Sequence, residues 1–418
     1  MAAEQQVSVA CLSARQKLAM PNLYSRKSDC CGCGACVAIC PKRCITMVRD
    51  DEGFDYPIID SDECIQCGRC EAVCPWKHEP QLDGRQTPPD VHAAWSLDDE
   101  IRRQSSSGGV FTVLATHILA QGGAVVGAAF TKDYHAVEHV IVEDQKGLAH
   151  LRGSKYVQSA IPPGLFQTIA EMVRHERVVL FSGCPCQVAG LRLFLGPNQK
   201  TLITCDLVCH GVPSPGWFAR YCRQLEAKNH AKITDMSFRN KDRGWKHFQL
   251  KYTFDNGRVI ANTCDVDYYL GTFLDNYSLR HSCYACKYAN TTRQGDITLA
   301  DYWGVDGKYP EYDLNDKGCS LILANTETGA QLLANSLLSM FVGKGDLAHA
   351  SICNQTLYRC HTAPMQRFHF LTDSIRLPYS QLTRQYRLCR PSLMRRAMRK
   401  ANSLRRKAWQ RFLCRKIT

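Results

Sequence analysis

Two runs of cysteine between residues 30 and 75 constrain the fold more than any other feature of the chain. Each run has the spacing C-x2-C-x2-C-x3-C and is followed directly by proline. The first run is Cys30, Cys33, Cys36 and Cys40, and the second is Cys64, Cys67, Cys70 and Cys74. Three thiolates two residues apart can surround one face of an iron–sulfur cubane, and the fourth then reaches a second cubane. Small residues such as Gly32, Gly34 and Gly68 let the backbone curl inwards between the thiolates.

The spacing therefore predicts two [4Fe–4S] clusters in a module of the bacterial two-cluster ferredoxin type. The predicted ligands are Cys30, Cys33, Cys36 and Cys74 for one cluster and Cys64, Cys67, Cys70 and Cys40 for the other. Zinc sites usually take cysteines in separated pairs. A disulfide framework needs an oxidising compartment, which nothing in the sequence indicates. Cys31 and Cys44 lie off the pattern and are expected to be spectators.

The composition is that of a globular protein of two or three domains. The chain has 418 residues, of which 45% are hydrophobic, and no apolar run approaches the length of a membrane span. Its N-terminus shows no apolar core before a small-residue cleavage site, so no secretory signal is predicted. Together with 24 cysteines, many of them in short motifs, this favours a reducing cytoplasm and metal ligation.

The order of patterns along the chain predicts an α+β protein. A disordered lead-in (1–24) precedes the ferredoxin module (25–80) and a polar, proline-rich linker (79–90). A body follows in two parts, 91–170 and 171–350, and residues 376–418 form a basic tail. Strands alternate with helices up to residue 228, which predicts a mostly parallel sheet covered by helices. Shorter strands with antiparallel hairpins are expected after that point.

Two short motifs in the body are candidate ligand-binding segments. Ser106, Ser107, Gly108 and Gly109 open a predicted helix, where free N–H groups and the helix dipole suit a phosphate. An ordinary helix cap would have the same composition. The second motif, 153–156, offers Ser154, Lys155 and Tyr156 as a donor, a charge and a stacking face, although a solvated loop would look alike. No G-x-G-x-x-G is present, so a Rossmann nucleotide site is not supported.

Later cysteines follow two predicted strands and form one further pair. Cys184 and Cys186 come after a buried strand, Cys209 and His210 after the next, and the pair Cys283 and Cys286 lies further on. Ligand sites of open α/β sheets gather at such strand ends. The predicted ligands of a third [4Fe–4S] cluster are Cys186, Cys209, Cys283 and Cys286. A zinc site, a redox dithiol and unpaired buried thiols remain as alternatives.

Several blocks together resemble one protein family. They are SSSGGVFT, RGSKY, GCPCQVAGL, DLVCHGVPSP, FRNKDRGW, CYACKYA and DITLADYWG, in that order along the chain. These residues resemble the coenzyme F-420 hydrogenase/dehydrogenase beta-subunit family, here preceded by a dicluster ferredoxin domain, over residues 28 to 350. The resemblance implies a flavin-binding body that holds FAD without a Rossmann fold. The implied FAD contacts are Ser106, Ser107, Gly108, Gly109, Ser154, Lys155 and Tyr156.

The resemblance and the cysteine pattern together predict an iron–sulfur flavoprotein oxidoreductase. It would pass electrons between clusters, FAD and an organic hydride acceptor or donor, because a flavin converts between one- and two-electron carriers. His210 and Lys155 are the candidate catalytic residues, as proton donors or charge stabilisers near the flavin. The alternative function is a coenzyme F-420-linked beta subunit, or an electron-transfer subunit without a substrate site of its own. The expected partner is a ferredoxin-like protein or a hydrogenase or dehydrogenase subunit.

The C-terminal tail is strongly basic. From residue 376 onward it has 14 Lys and Arg and no acidic residue, whereas the rest of the chain has 38 basic against 39 acidic residues. Residues 392–414 can form a helix with a narrow apolar stripe, which suits the anionic inner face of a membrane. An acidic partner protein and a simple packed or solvated helix are the alternatives. Nucleic acid is disfavoured, since only Trp409 and Phe412 could stack on bases.

Overall fold

The computed structural model describes residues 20–386, apart from positions 198 and 265. The cysteine ladder (residues 30–75) contains the predicted hairpin, with a short helix in each cysteine run. Its elements are α1 (Ala35–Ile39), β1 (Ile45–Arg49), β2 (Asp55–Ile59) and α2 (Arg69–Ala72), with β1 and β2 antiparallel. Gly34 and Gly68 precede the helices with φ of 78° and 70°. Glycine adopts this left-handed conformation without strain, so it lets each run turn inwards.

The body contains the remaining elements of the described chain. Its strands are β3 (Arg85–Ser96), β4 (Ala124–Phe130), β5 (Val137–Val142), β6 (Val179–Gly183), β7 (Leu202–Leu207), β8 (Ile233–Asn240), β9 (Gln249–Phe254), β10 (Val259–Asn262), β11 (Ile297–Asp301), β12 (Ser320–Thr326) and β13 (Met340–Lys344). Its helices are α3 (Asp99–Gln104), α4 (Val110–Ala120), α5 (Gln145–Leu151), α6 (Leu165–Arg174), α7 (Pro185–Leu195), α8 (Pro215–Asn229), α9 (Tyr268–Leu274), α10 (Glu327–Asn335), α11 (Leu347–Cys353), α12 (Arg367–Arg376) and α13 (Tyr379–Gln385).

One eight-stranded mixed sheet organises the body, in the order β13-β3-β12-β11-β7-β6-β4-β5. Only the centre is parallel, where β4 pairs with β6, β6 with β7 and β7 with β11. The flanking pairings are antiparallel. The expectation of a mostly parallel sheet therefore holds for its centre alone. The turn from β4 to β5 is too short for the crossover that a parallel neighbour requires, so the two strands form a hairpin.

The predicted linker is partly a strand. β3 begins at Arg85, inside the segment 79–90, and lies between β12 and β13. Its regular pairing with β12 starts at Asp90, after the two prolines, and the register shifts between Ala324 and Thr326. Proline has no N–H to donate to a sheet ladder, which accounts for the irregular start. The body is therefore joined to the ladder by a shorter connection than the sequence indicates.

Helices cover both faces of the large sheet. On β4, Val125 joins the apolar core beneath α4 and α10, whereas its neighbour Val126 joins the core beneath α6 and α7. Successive strand residues point to opposite faces, so the two cores lie on opposite sides of the sheet. The ladder packs on the second side, where Cys33 and Ala35 share the core of α6 and α7. This packing brings the cysteine runs against the carboxyl ends of β6 and β7.

A separate three-stranded antiparallel sheet, in the order β10-β9-β8, confirms the predicted change of pattern after residue 228. Its aromatic core includes Trp217, Tyr252 and Tyr269. Helices α12 and α13 pack on the same core through Phe370 and Leu382. Residues 376–386, assigned to the tail from sequence, thus belong to the folded body.

The chain termini differ from the predicted layout where the structure describes them. Residues 20–24 belong to the predicted lead-in, yet Leu23 is buried and the Tyr24 ring lies 5.4 Å from that of Tyr56. The other part of the lead-in, 1–19, and the predicted basic helix at 392–414 lie outside the described residues. No helix between residues 20 and 386 combines the length and apolarity that crossing a bilayer requires.

Candidate functional site

The outer end of the ladder brings together one predicted ligand set. Cys40, Cys64, Cys67 and Cys70 all line a cavity of about 320 Å³ whose wall is otherwise mainly apolar. Cys67 is exposed, whereas Cys70 is buried. Cys44, expected to be a spectator, lies beside this set with its Sγ 3.4 Å from that of Cys40. The second predicted cluster position therefore faces the protein surface.

The inner end of the ladder holds the other predicted set. The thiol of Cys36 is close enough to Cys30 and Cys74 for their charges to interact. Burial raises the pKa of Cys30 to about 11, and burial together with these neighbours raises the pKa of Cys36 well above its usual range. Thiols in such a place stay protonated unless cations stabilise the thiolates. The donor set therefore fits a cluster, whose irons supply that charge.

The later cysteines meet in a second cavity, of about 550 Å³, at the ends of β6 and β7. All four predicted ligands line it, together with three cysteines that the prediction left out. The lining thiols are Cys31, Cys184, Cys186, Cys209, Cys283, Cys286 and Cys360. Burial raises the pKa of Cys286 to about 11 and that of Cys283 above its usual range. As in the ladder, these thiols need a cationic group to become ligands.

Cys184 is one of the three cavity cysteines that the prediction left out. It is the N-cap of α7, and its Sγ lies 3.7 Å from that of Cys209. Cys186, two residues on, lines the same cavity, as does Cys31. Besides Cys360, five thiols of the body line the cavity, although one cubane has only four ligand positions. Of the pair Cys184 and Cys186, it is Cys184 that lies beside Cys209. The sequence Cys184-Pro185-Cys186 shows only that the two thiols are close along the chain. The start of α7 decides which way each thiol points.

The cysteines surround cavities and do not converge on single points. Within residues 20–386, excluding 198 and 265, no three His, Cys, Asp or Glu side chains come close enough to share one metal ion. Cys360 comes from the segment between α11 and α12, and its thiol donates to the backbone oxygen of Tyr284 at 3.1 Å. No pattern in the sequence pairs this cysteine with the other cavity cysteines, which are 74 or more residues away.

The ladder is fastened to the body by buried polar contacts. Arg280 is fully buried; its Nε donates to the Cys30 oxygen at 2.8 Å, and its guanidinium lies 4.0 Å from the centre of the Tyr56 ring. The amide of Gln158 donates to the Cys31 oxygen at 3.1 Å. A Cβ on Gly190 of α7 would lie 2.9 Å from the Sγ of Cys33, so only glycine allows this approach. These contacts fix the first cysteine run against α7.

The two predicted FAD segments also meet. The backbone N–H of Ser154 donates to the Oγ of Ser106 at 2.7 Å. Ser107 donates from Oγ to the Cys319 oxygen at 2.8 Å, and the N–H of Gly108 donates to the Oγ of Ser320 at 3.0 Å. The remaining residue, Gly109, caps α4 with φ 87°. Three donors of these segments, the Oγ of Ser107 and the N–H groups of Gly108 and Ser154, are therefore used within the protein.

An ion pair and aromatic rings lie beside these segments. Arg239 contacts Asp301 at 2.7 Å and 3.0 Å and donates to the hydroxyl of Tyr156 at 3.1 Å. Asp301 also accepts from the indole N–H of Trp245 at 2.6 Å, and the Trp245 ring stacks on Trp303 with centroids 4.6 Å apart. The charge of Arg239 is therefore balanced by the carboxylate of Asp301.

The two candidate catalytic residues have different surroundings. The ammonium of Lys155 donates to the oxygens of Leu151, Arg152 and Gly153 at 3.1–3.2 Å, which caps α5, and burial lowers its pKa to about 7. His210 lines the cysteine cavity; its Nε2 lies 2.8 Å from the amide oxygen of Asn276. Burial and the adjacent His361 lower the pKa of His210 to about 4. Lys155 therefore stabilises a helix end, and neutral His210 belongs to the wall of the cavity.

Sequence profiles of known families match most of the chain. A profile described as "4Fe-4S dicluster domain" matches residues 29–78, and another with the same description matches 56–108. The profile "Coenzyme F420 hydrogenase/dehydrogenase, beta subunit N-term" matches residues 91–165. Its companion profile, for the C terminus of the same coenzyme F420 hydrogenase/dehydrogenase beta subunit, matches residues 176–342. The segment carrying Cys360 follows the last matched residue.

Solved structures show distant similarity. A chain of the F420-reducing [NiFe] hydrogenase complex from Methanosarcina barkeri aligns with 64% of this chain and 88% of its own length. The TM-score is 0.44 and the sequence identity is 15%. At this distance no residue role is transferred. A search of curated proteins finds no match.

Proposed function

The chain belongs to the coenzyme F420 hydrogenase/dehydrogenase beta-subunit family and carries a 4Fe-4S dicluster domain in front of it, and we propose that it acts as the iron–sulfur electron-transfer subunit of an oxidoreductase of this type. This corresponds to the alternative function drawn from the sequence. The family match favours it over the leading expectation, a self-contained flavoprotein with its own substrate site.

One observation carries the proposal: the ladder docks directly on the cysteine-lined cavity of the body. The first cysteine run, residues 30–40, contributes Cys31 to the wall of that cavity. At the opposite end the ladder presents the exposed thiol of Cys67, next to Ile65, which is also exposed. A module with one thiol site at the surface and another against the body is arranged to link an external protein to the interior. Iron–sulfur clusters bound at these thiols would supply one-electron transfer.

Iron content is the first test. Protein purified without oxygen is expected to hold about twelve irons and about twelve sulfides, four in each of three cubanes. A value below about eight irons per chain would contradict the assignment of the ladder itself. The same preparation is analysed for bound flavin.

Alanine variants then identify the ligands of the cavity. Cys209→Ala and Cys283→Ala are expected to lose about four irons each, while the ladder keeps about eight. Cys184→Ala and Cys186→Ala form a matched pair, since only one of them is needed as the fourth ligand, and the position of Cys184 beside Cys209 favours Cys184. Cys222→Ala is the control, because Cys222 is buried among the aromatic residues around α8, away from the cavity. Loss of iron in the control, or retention in Cys209→Ala, would contradict a cluster at this place.

The electron acceptor distinguishes a subunit from a complete enzyme. Protein reduced with dithionite is mixed with small-molecule hydride acceptors, the deazaflavin coenzyme included, and with candidate redox proteins. Reoxidation by proteins alone supports the electron-transfer subunit. Reoxidation by the deazaflavin would instead make the chain an F420-linked enzyme.

The finer proposal adds FAD and an organic hydride acceptor or donor. It is supported by two lysines beside the 106–109 segment whose ammonium groups bond to backbone oxygens: Lys155, as described, and Lys241, which donates to the Ser107 oxygen at 2.7 Å. Burial lowers the pKa of each to about 7. An anionic ligand between them would favour their charged forms. A bound flavin would supply the conversion between single electrons and hydride.

The partner protein of this chain and its location in the cell are also proposed. A hydrogenase or dehydrogenase subunit, or a ferredoxin-like protein, is the partner that the family membership favours. A cytoplasmic place fits the many cysteines predicted to bind metal. A contact between the basic tail and the inner face of a membrane would involve residues beyond 386, which the structure does not describe. A deletion that tests it should begin at residue 387, because α13 packs on the body.

A further inference from the structure

Helix α12 presents an apolar row to the outside of the protein. Its inner face is buried against the body through Arg367, Phe370, Leu371 and Ser374. On the opposite side, the side chains of Met365, Phe368 and Ile375 are 83%, 65% and 37% exposed. Met365 lies in the turn that leads into α12, and its backbone oxygen accepts the N–H of Phe368 at 3.4 Å. With 3.6 residues per turn, the three positions lie along one side of the helix.

Cations border this apolar row. Arg376, at the end of α12, is exposed on the same side of the helix, and Arg384 is exposed near the end of α13. The single carboxylate of α12, on Asp373, accepts hydrogen bonds from the amide of Gln385 at 2.8 Å and from the hydroxyl of Tyr386 at 2.5 Å. Arg376 is also the first of the 14 Lys and Arg of the basic tail. The surroundings of the row are therefore positive.

The helix is held rigidly on the body. Arg367 forms an ion pair with Glu52 in the turn of the ladder hairpin, and Arg220 of α8 donates to the backbone oxygens of Ser374 and Leu377. The outer face of α12 is thus formed before any partner arrives, and a ligand that covers it does not have to order the helix. Whatever binds there also lies on the helix that is fastened to the ladder.

We propose that the outer face of α12 is a docking surface for an anionic phospholipid membrane. Met365 and Phe368 enter the boundary between headgroups and acyl chains, where apolar side chains of amphipathic helices are buried. Arg376 and the basic residues that follow it are attracted to the anionic headgroups. The proposal goes beyond the electron-transfer function and does not depend on it.

The combination of the two features favours a membrane over a protein partner. Firm attachment to a bilayer usually takes two signals, and an apolar surface together with a polybasic segment is one such combination. A membrane presents anionic charge over its whole surface, so it can neutralise cations that are distributed along residues 376–418. Contact through the tail alone would not require the apolar row.

Vesicle binding by the full-length, cluster-loaded protein tests the proposal. Sedimentation without oxygen gives the Kd for phosphatidylglycerol vesicles and for neutral phosphatidylcholine vesicles, at low and at high salt. The double variant Met365→Ser with Phe368→Ser removes the apolar row. Its matched control is Leu337→Ser with Leu338→Ser, since these leucines are 49% and 96% exposed in the turn before β13. A third variant lacks residues 387–418.

We expect the wild type to prefer phosphatidylglycerol vesicles. The α12 variant should bind them about tenfold or more weakly, because an apolar side chain of this size is worth at least that factor when it leaves water. The control should bind like the wild type. Removal of residues 387–418 should weaken binding chiefly at low salt, where charges are least screened. All variants should keep the urea midpoint of the wild type, since only exposed side chains change.

Four results would overturn the inference. Equal binding by the α12 variant and the wild type would assign the contact to the tail alone. An equal loss in the leucine control would make the effect one of general surface hydrophobicity. Equal binding to phosphatidylcholine would remove the role of the cations, and no binding by the wild type would leave the α12 face to a protein partner. Iron content, measured on the same samples, reports separately on the electron-transfer function.

Discussion

The variant Arg367→Met is expected to lose about 3–5 kcal/mol of unfolding free energy, because it leaves a buried carboxylate without its partner. Arg367 of α12 contacts both carboxylate oxygens of Glu52, at 2.9 Å and 2.8 Å, and both side chains are at most 9% exposed. His281 completes the group at 3.1 Å from the same carboxylate. Burial alone would raise the pKa of Glu52, but the hydrogen bonds from His281 and Arg367 outweigh it and lower the pKa to about 2.

This ion pair joins three parts of the chain. Glu52 lies in the turn of the ladder hairpin, His281 precedes Cys283, and α12 follows the family-matched region. The hairpin turn also packs closely on the body, since a Cβ on Gly53 would lie 2.6 Å from the Oγ of Ser214. Loss of Arg367 should therefore loosen the ladder from the body as well as lower stability.

The urea midpoint of cluster-loaded protein, measured without oxygen, checks this prediction. Arg49→Met is the matched control, because Arg49 makes a two-pronged contact with Asp55 on the same hairpin, at 2.8 Å for each prong, but is half exposed. Exposed pairs of this kind contribute about 0–1 kcal/mol. The double variant Glu52→Gln with Arg367→Met should recover part of the loss. Equal midpoints for Arg367→Met and Arg49→Met would show that the buried pair does not hold the ladder in place.

The variant Arg293→Met is expected to lose the iron of the cavity while the ladder keeps its own. Arg293 is 1% exposed and donates to the backbone oxygens of Leu207, Tyr288 and Asn290 at 2.7–3.1 Å. It thereby fixes the loop after β7, which leads to Cys209, and the loop after Cys286. The methionine leaves these oxygens without their donor and leaves the fully buried Asp206, 3.3 Å away, without its counter-charge.

A stability loss of about 3–5 kcal/mol should accompany this change, as for other broken buried pairs. Iron and sulfide counts of the oxygen-free protein measure the effect on the cavity, with a fall of about four irons expected. Arg293→Lys keeps the charge but not the fork of donors, and should fall between the methionine variant and the wild type. Arg103→Met, which removes an exposed pair with Glu100, is the surface control. A cavity that keeps its iron in Arg293→Met would mean that the cysteines hold their positions without this support.

Several features of the site were predictable because their chemistry is local. The spacing of Cys30 to Cys74 implies two thiol clusters whatever surrounds them, since the reach of a thiolate from a short turn sets that spacing. That Cys186 and Cys209 line one cavity was also predictable, because parallel strands β6 and β7 end at one edge of the sheet.

Other features depend on contacts between distant segments. No local pattern separates Cys184 from Cys186, because their directions are set by how α7 begins and by what packs on it. Cys31 was expected to be a spectator, because nothing near it in the sequence shows that it lines the same cavity as Cys186, 155 residues away. The position of the Lys155 ammonium at the carboxyl end of α5 was likewise not readable from the sequence. β5 pairs antiparallel with β4 through a short hairpin turn, which periodicity alone does not reveal.

The sequence by itself determined which groups this protein can use: eight ladder thiols in two sets, further thiols at strand ends, and the blocks that place the chain in its family. Tertiary structure alone decided how those groups are connected. It brought the ladder against α7, put Cys31 in the wall of the cysteine-lined cavity, and paired Arg367 with Glu52 and Arg293 with Asp206. The physical reason is that metal-ligand spacing is a property of a few neighbouring residues. The packing of the ladder on the body, by contrast, depends on burying side chains separated by hundreds of residues.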